Sequence, residues 1–359
     1  MHNGSNYTPL PKPKPVVEKG DFTFAVIAVD HPHIYPMCEG LIEAGATLKW
    51  VYDPDPEKVK KFCAAFPQAK PARSEQEILQ DRDVRLVATD AIPSERGPLG
   101  LRVMEHGKDF FSDKAAFTTL NQLKAAQDKV AATGLKHAVY YGERVHVESA
   151  VFAGQLIQAG AIGRVVQVIN ICPHKLAYYG GRPKWWFEKE KTGGILVDIG
   201  SHQIDQFLFY AGCKNARVIS SKVANYRFKQ YEEIEDFGDA TLVGDNGATH
   251  YFRVDWLTPD GLGDVESGGD GRAIILGTEG YIEIRKYIDI AHSKERDHVY
   301  LVDQKGTYHF QIHNQVGYPY FGELILDCLN RTENAMTQEH VFKVSELSLI
   351  AQNQAIRLE

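Results

Sequence analysis

The stretch Phe22-Thr23-Phe24-Ala25-Val26-Ile27-Ala28-Val29 decides how this chain is read. Its apolar residues run on without alternation, the pattern of a strand buried on both faces of a parallel sheet. Downstream, Met37, Leu41, Ile42 and Ala44 fall near helical spacing, and the helix stops at Gly45. Leu48–Tyr52 is the next strand, closed by Asp53-Pro54. Helices around Glu57–Phe66 and Glu75–Gln80 precede the strand Val84–Thr89, and a helix over Leu99–His106 follows. The strand Asp109–Ser112, the helix Leu120–Thr133 and the strand Lys136–Tyr141 complete the series. Strands alternating with helices at this spacing predict βαβ units and a doubly wound parallel sheet.

Upstream, Met1 to about Gly20 is polar and punctuated by Pro9, Pro11, Pro13 and Pro15. It reads as an extended arm, either disordered or wrapped onto a partner subunit. A chain of 359 residues exceeds one comfortable core. We expect an arm over 1–21, a nucleotide-type domain over 22–144 and a second domain over 145–359.

The second half has a different character. A helix over Glu148–Ala159 leads into the strand Arg164–Cys172. Beyond Ala216, strand-like runs dominate: Val218–Val223, Ala240–Val243, Thr249–Trp256, Ala273–Leu276, Tyr281–Arg285, Val299–Val302 and Thr307–Gln311. Turns such as Asp245-Asn246-Gly247 join them, so the second sheet should be open and mostly antiparallel, with terminal helices over Tyr320–Asn330 and Val344–Arg357. The glycine-rich, acidic stretch Pro259–Gly271 is either a cover for a site or a long hairpin connection.

Composition narrows the function. The chain is 43% hydrophobic and 24% charged, with a formal charge of −7 and no dense basic run, which argues against nucleic acid. Five scattered cysteines without a CxxC pair fit reduced thiols in the cytoplasm rather than disulfides or a zinc site. No apolar stretch reaches membrane-spanning length and the N-terminus lacks a signal-type core, so no membrane partner is expected.

Candidate site residues sit where a doubly wound sheet puts ligands, outside the carboxyl ends of its strands. Asp53 stands where a dinucleotide fold carries the acid that holds the adenosine ribose, and a carboxylate there favours NAD over NADP. The glycine fingerprint is absent: the turn reads Ala28-Val29-Asp30-His31-Pro32-His33. Asp30 is placed to cap its own helix, while His31 and His33 offer donors to a pyrophosphate. Pro93 and Arg96 after one strand, and Asp113 and Lys114 after another, complete the expected cofactor contacts. Lys114 is placed to donate to a substrate hydroxyl and depress its pKa.

The second domain offers Glu143, Arg144 and His174 as substrate contacts, together with Arg182-Pro183-Lys184-Trp185-Trp186. Indoles beside cations form either a clamp for a hydroxyl-rich ligand or a core-facing aromatic segment. In Gly193-Gly194-Ile195-Leu196-Val197-Asp198-Ile199-Gly200-Ser201-His202-Gln203-Ile204-Asp205, helical spacing lines up Asp198, His202 and Asp205. This face is an active-site wall or, on the blander view, a buried helix with a hydrogen-bonded histidine. Chelation by Asp198 and His202, with His174 as third ligand, is sterically allowed, but nothing selects it over acid–base work and no metal is expected.

Together, Asp53-Pro54-Asp55-Pro56, Asp113-Lys114-Ala115 and the GG-x3-D-x3-H-x2-D pattern at 193–205 resemble the Gfo/Idh/MocA oxidoreductases, across the whole chain after the arm. That family usually carries Glu-Lys-Pro where this chain has Asp113-Lys114-Ala115. The resemblance implies a Rossmann domain followed by an α/β domain whose open sheet forms a homodimer or homotetramer. It further implies Lys114, Asp198 and His202 as catalytic trio, with His202 as general base, Lys114 polarising the hydroxyl or relaying its proton, and Asp198 orienting the substrate. The expected activity is NAD-preferring hydride transfer with a sugar, polyol or related small molecule. The rivals are a redox-neutral NAD-dependent lyase or glycosidase and a non-catalytic sugar or dinucleotide sensor.

Overall fold

The computed structural model describes residues 7–176, 181–263, 265 and 268–358. The first sheet is built from β1 (Thr23–Val29), β2 (Thr47–Tyr52), β3 (Lys70–Pro71), β4 (Val84–Asp90), β5 (Asp109–Asp113) and β6 (His137–Tyr140). All its pairings are parallel and the order is β3-β2-β1-β4-β5-β6, the doubly wound arrangement whose direction reverses between β1 and β4. Helices α1 (Ile34–Glu43), α2 (Pro56–Ala65), α3 (Glu75–Gln80), α4 (Pro93–Glu105) and α5 (Leu120–Thr133) make the crossovers. Ala25, Val26, Val87 and Phe110 are fully buried, as continuous apolar strands require. Three of the helices start on acceptors that satisfy otherwise orphaned N–H groups: Asp55, Ser74 and Thr119 each cap a first turn.

The second half contains the short helix α6 (Gly142–Val145), α7 (Glu148–Gln158), β7 (Val165–Pro173), α8 (Lys189–Thr192), α9 (Ile195–Asp198) and α10 (Gly200–Ala211). Strands β8 (Ala216–Ala224), β9 (Phe237–Gly244), β10 (Thr249–Asp255), β11 (Arg272–Gly277), β12 (Tyr281–Arg285), β13 (His298–Asp303) and β14 (Gly306–Gln311) follow. The chain closes with α11 (Pro319–Asn330), α12 (Gln338–Asn353) and β15 (Ile356–Arg357). The second sheet runs β14-β13-β12-β11-β7-β10-β9-β8-β15; only β7–β10 and β8–β15 pair in parallel. Its strands alternate: on β11, Ala273 and Ile275 are buried while Ile274 and Leu276 are exposed. One face thus packs on α7 and α10, and the other stays open.

The chain divides into two compact units, one of 13–140 with 319–342, the other of 1–12, 141–318 and 343–359. In the first, α11 returns to α1, and the Phe321 ring lies where a Cβ on Gly40 would be. Arg331 beyond α11 grips both oxygens of Asp109 at 2.6 and 2.7 Å.

Several expected elements shift. The stretch 193–208 is not one helix: α9 ends at Asp198 and α10 begins at Gly200. Ser201 Oγ donates to the carbonyl of Asp198 at 3.0 Å, taking an acceptor that a continuous helix would give to a backbone N–H. Helix α4 starts at Pro93, six residues early, because proline suits a first turn; Pro98 then lies inside it. Helix α12 starts at Gln338, after Thr337 Oγ1 accepts from His340 N–H, and ends at Asn353; Ile356 and Arg357 instead pair with β8. The N-terminal arm is extended, but from residue 7 it is tied to its own chain: Leu10 N–H donates to Gln155 and Val16 N–H to the Ala44 carbonyl. Residues 1–6 of the arm, and 264, 266 and 267 of the Pro259–Gly271 stretch, lie outside the described residues.

Candidate active site

At the carboxyl end of the parallel sheet, the turn after β1 keeps a glycine-type conformation without glycine: Ala28 has φ +66°. Asp53, at the tip of β2, is buried and accepts N–H groups from Val29 and Asp55, both at 2.9 Å. Asp30 does not cap α1. Its carboxylate pairs with Lys58 Nζ at 2.5 Å, and the Ile34 N–H at the start of α1 goes to Asp90 at 3.0 Å. Asp90, at the end of β4, thus takes as a tertiary acceptor the N–H that a local cap would hold.

Asp90 opens a cluster that the sequence reading missed. Its other oxygen meets Arg96 Nη2 at 2.7 Å, and His31 Nδ1 lies 3.4 Å from the first. Asp113, at the end of β5, faces His33 Nδ1 at 3.1 Å and Arg96 Nη2 at 3.4 Å. Arg96 is 1% exposed, and its guanidinium also binds the carbonyls of Ala91, Lys114 and Ala115, so it knits together the two strand ends. The Lys114–Ala115 peptide is cis. Burial and the Asp113 charge push the Asp90 carboxyl well above its usual range. Asp113 is held below the usual carboxylate range: burial works the other way, but His33, Arg96 and Lys114 outweigh it. Pro93 is buried in the first turn of α4.

Asp53 retains lone pairs beyond the N–H groups it accepts, so this set suits the two ribose hydroxyls of a dinucleotide. At the start of α1, His31 and His33 lie side by side and offer ring N–H donors to a phosphate. The residues present fit the cofactor.

In the second unit, consecutive positive-φ glycines turn the chain into α9: Gly193 has φ +85° and Gly194 φ +95°, and a Cβ on Gly194 would strike the Gln352 amide. Asp198, half-buried, lines a narrow cleft with Trp186, Trp256, Ile195 and Glu235. Trp186 and Trp256 meet edge to face at 4.8 Å, and Arg182 stacks over both at 5.1 and 4.8 Å. His174 packs edge-on against Trp256 at 5.4 Å. Of the predicted clamp, Arg182 and Trp186 thus join one wall with Asp198, Trp185 is half-buried and Lys184 is exposed.

His202 is buried in α10, its ring 6.3 Å from that of Tyr141. The break at Ile199 puts Asp198 and His202 on separate helices. Asp205 belongs to structure: its carboxylate is clasped by Arg144. Glu143, also buried, receives Lys286 Nζ at 2.7 Å, Gln203 Nε2 at 3.0 Å and the Cys172 thiol at 3.1 Å, with His174 Nε2 3.9 Å away. Burial raises its pKa, but Lys286, His202 and His174 bring it well below the usual range. It stays ionised, a fixed negative charge among basic groups. Lys286 and Cys172 carried no signal in the sequence, because their partner is remote along the chain. Asp90 did carry one, the strand-end position that picked out Asp113. Among the described residues no helix is long and apolar enough to cross a membrane.

Comparison with known proteins places these halves in context. The sequence profile of the GFO/IDH/MocA C-terminal domain matches residues 151–283. A solved protein of Erwinia carotovora atroseptica SCRI1043, named only by class as an oxidoreductase, is 49% identical, with 94% of this chain and 100% of that one covered and a TM-score of 0.90. The scyllo-inositol 2-dehydrogenase (NAD(+)) of Bacillus subtilis (strain 168) is 27% identical over 269 residues, 73% of this chain and 71% of its own. A levoglucosan dehydrogenase solved with NADH and L-sorbose shares the fold at 15% identity and a TM-score of 0.73, with 93% of this chain and 98% of that one covered. The parallel sheet with its strand-end lysine, the glycine-led Asp198 and His202, and these likenesses agree: the chain is an oxidoreductase of the Gfo/Idh/MocA family.

Proposed function

We propose that this protein is an NAD-preferring dehydrogenase that oxidises a secondary hydroxyl of a cyclic polyol, sugar or related small molecule. The observation that carries the reading is Lys114: a lysine 7% exposed at the carboxyl end of β5, one strand from the reversal point where doubly wound sheets bind ligands. The 27% identical NAD(+)-dependent inositol dehydrogenase supports both the cofactor and the substrate class.

The nicotinamide, when bound, supplies the hydride acceptor. His202 takes the proton of the reacting hydroxyl, Lys114 polarises that oxygen, and Asp198 orients the substrate against the Trp186–Trp256 wall. Glu143 and His174 line the substrate side, and Arg144 acts through the helix it anchors. Asp53 holds the ribose hydroxyls and disfavours a 2′-phosphate; His31 and His33 meet the pyrophosphate, while Arg96 and Pro93 fix the strand-end turns beneath it. The open face of the second sheet, where Tyr251, Ile169 and Ile274 lie in one row across the register, suits a homo-oligomeric contact.

The test is absorbance of NADH with a panel of inositols, aldoses and anhydrosugars. Accumulating NADH with at least one of them is expected. Turnover of a glycoside without net NADH would replace this reading with the redox-neutral one.

A further inference from the structure

The parallel sheet also has an amino end. There, beside the starts of β4 and β5, Arg82, Arg85, His106, Lys108, Asp109 and Arg331 line an open cavity of about 400 Å³, within the ~300–1,000 Å³ of small-molecule sites. All six belong to the compact unit of 13–140 with 319–342. Arg82 stands in the turn before β4, Arg85 is the second residue of that strand, and Lys108 immediately precedes β5.

The charge here is one-sided. The chain as a whole carries a formal charge of −7, yet four cations and a single carboxylate line this cavity. That carboxylate, Asp109, is already committed: Arg331 holds both its oxygens, and the Lys136 N–H donates to it at 2.8 Å. The acids flanking Arg82, Asp81 and Asp83, both pair with Lys49, at 2.7 and 2.8 Å. Arg82 and Arg85 are exposed and have no ion-pair partner among the described residues. Lys108 is 4% exposed, and two of its three N–H groups go to the carbonyls of Asp81 and Val84, at 2.6 and 2.8 Å. No carboxylate lies within ion-pair distance of it among the described residues. A buried ammonium without a counter-charge is costly, and burial drives its pKa down. An anion seated in the cavity supplies the missing charge.

The lining also narrows the kind of anion. Guanidinium groups present planar pairs of N–H donors that match phosphate oxygens, and an ammonium adds a point charge. Three cations not engaged by Asp109 suit a ligand with more than one negative charge. The lining holds no Phe, Tyr or Trp on which a base could stack, so a compact phosphate is favoured over a nucleotide. We propose that the amino ends of β4 and β5 form a second ligand site, which binds a small phosphorylated metabolite of two or more negative charges through Arg82, Arg85 and Lys108. The site lies at the end of the sheet opposite Asp53, Asp113 and Lys114, and it does not depend on the dehydrogenase reading.

The experiment titrates the full chain with inorganic pyrophosphate by calorimetry, in magnesium-free buffer of fixed ionic strength, with and without saturating NAD. Saturable binding that persists with NAD present is expected. The double variant Arg82→Gln/Arg85→Gln should weaken it at least ~10-fold, the loss expected when charge-assisted hydrogen bonds are removed. Both arginines are exposed, so the variant should keep the wild-type dichroism spectrum. Lys124→Gln, which removes an exposed cation of α5 outside the cavity, should leave the affinity unchanged. Absence of saturable binding, binding that NAD abolishes, an unaltered affinity in the double variant, or an equal loss in Lys124→Gln each overturns the site. Citrate, an anion of similar charge, should bind more weakly than pyrophosphate; tighter citrate binding overturns the assignment to phosphate.

Discussion

Asp205 lies under Arg144 with its two oxygens 2.6 and 2.9 Å from Nε and Nη2 of one guanidinium, a two-pronged ion pair whose acid is wholly shut from water. Phe209 covers the guanidinium at 4.2 Å. The pair joins α6 to α10 and so fixes the helix that carries His202. Arg144→Met leaves a buried carboxylate without its cation and should cost ~3–5 kcal/mol. Arg144→Lys should recover only part of that, because an ammonium cannot make two parallel bonds. Denaturant midpoints of the three proteins check both statements.

Lys114→Ala and His202→Ala should each lower turnover by at least ~10²-fold, with the far-ultraviolet dichroism spectrum retained. Wild-type rates in both variants would remove the proposed chemistry.

Asp53→Ala should weaken NAD binding by ~10-fold or more, measured by fluorescence titration, since a charge-assisted contact to the ribose is worth ~1.5–3 kcal/mol. Asp53→Ser should also narrow the gap between NAD and NADP. An unchanged NAD affinity would contradict the ribose contact.

His137 is fully buried among Phe110, Phe117 and Phe342, with ring centroids 5.1, 5.0 and 6.1 Å away, and burial lowers its pKa to about 4. Its ring stays neutral in the folded chain below the pH at which the unfolded chain takes up a proton. Folded stability should therefore fall as pH drops from about 6.5 towards 4, with this residue contributing ~1.4 kcal/mol per pH unit and ~3 kcal/mol in all. His137→Phe should remove that part of the slope. Urea midpoints at pH 7 and pH 5 measure it, and an unaltered slope would count against a neutral His137.

The parallel sheet was legible because strands buried on both faces need uninterrupted apolar runs, and Phe22–Val29 and Val84–Thr89 supply them. The second sheet was legible from alternation, as on Ala273–Leu276. Two-residue edge strands such as β3 and β15 leave no periodicity to read. The break between Asp198 and His202 depends on the Ser201 hydroxyl and on Phe252, whose ring lies 3.1 Å from where a Cβ on Gly200 would sit, a contact from a distant strand. Helical spacing alone could not reveal it. At the candidate site, strand-end position singled out Asp113 and Lys114, which lie buried at the carboxyl end of β5. It did not reveal that Asp53 and Asp90 serve backbone N–H groups, or that Glu143 depends on Lys286, 143 residues further along.

The return of α11 to α1 has a practical side for protein engineering. A gene fragment stopping at Tyr140 would encode the parallel sheet without Phe321, the ring that Gly40 makes room for, and without the arginine that clasps Asp109. Anyone transplanting this half into another scaffold has to splice in two pieces of chain, 13–140 and 319–342, and a circular permutant that joins them is the natural starting design.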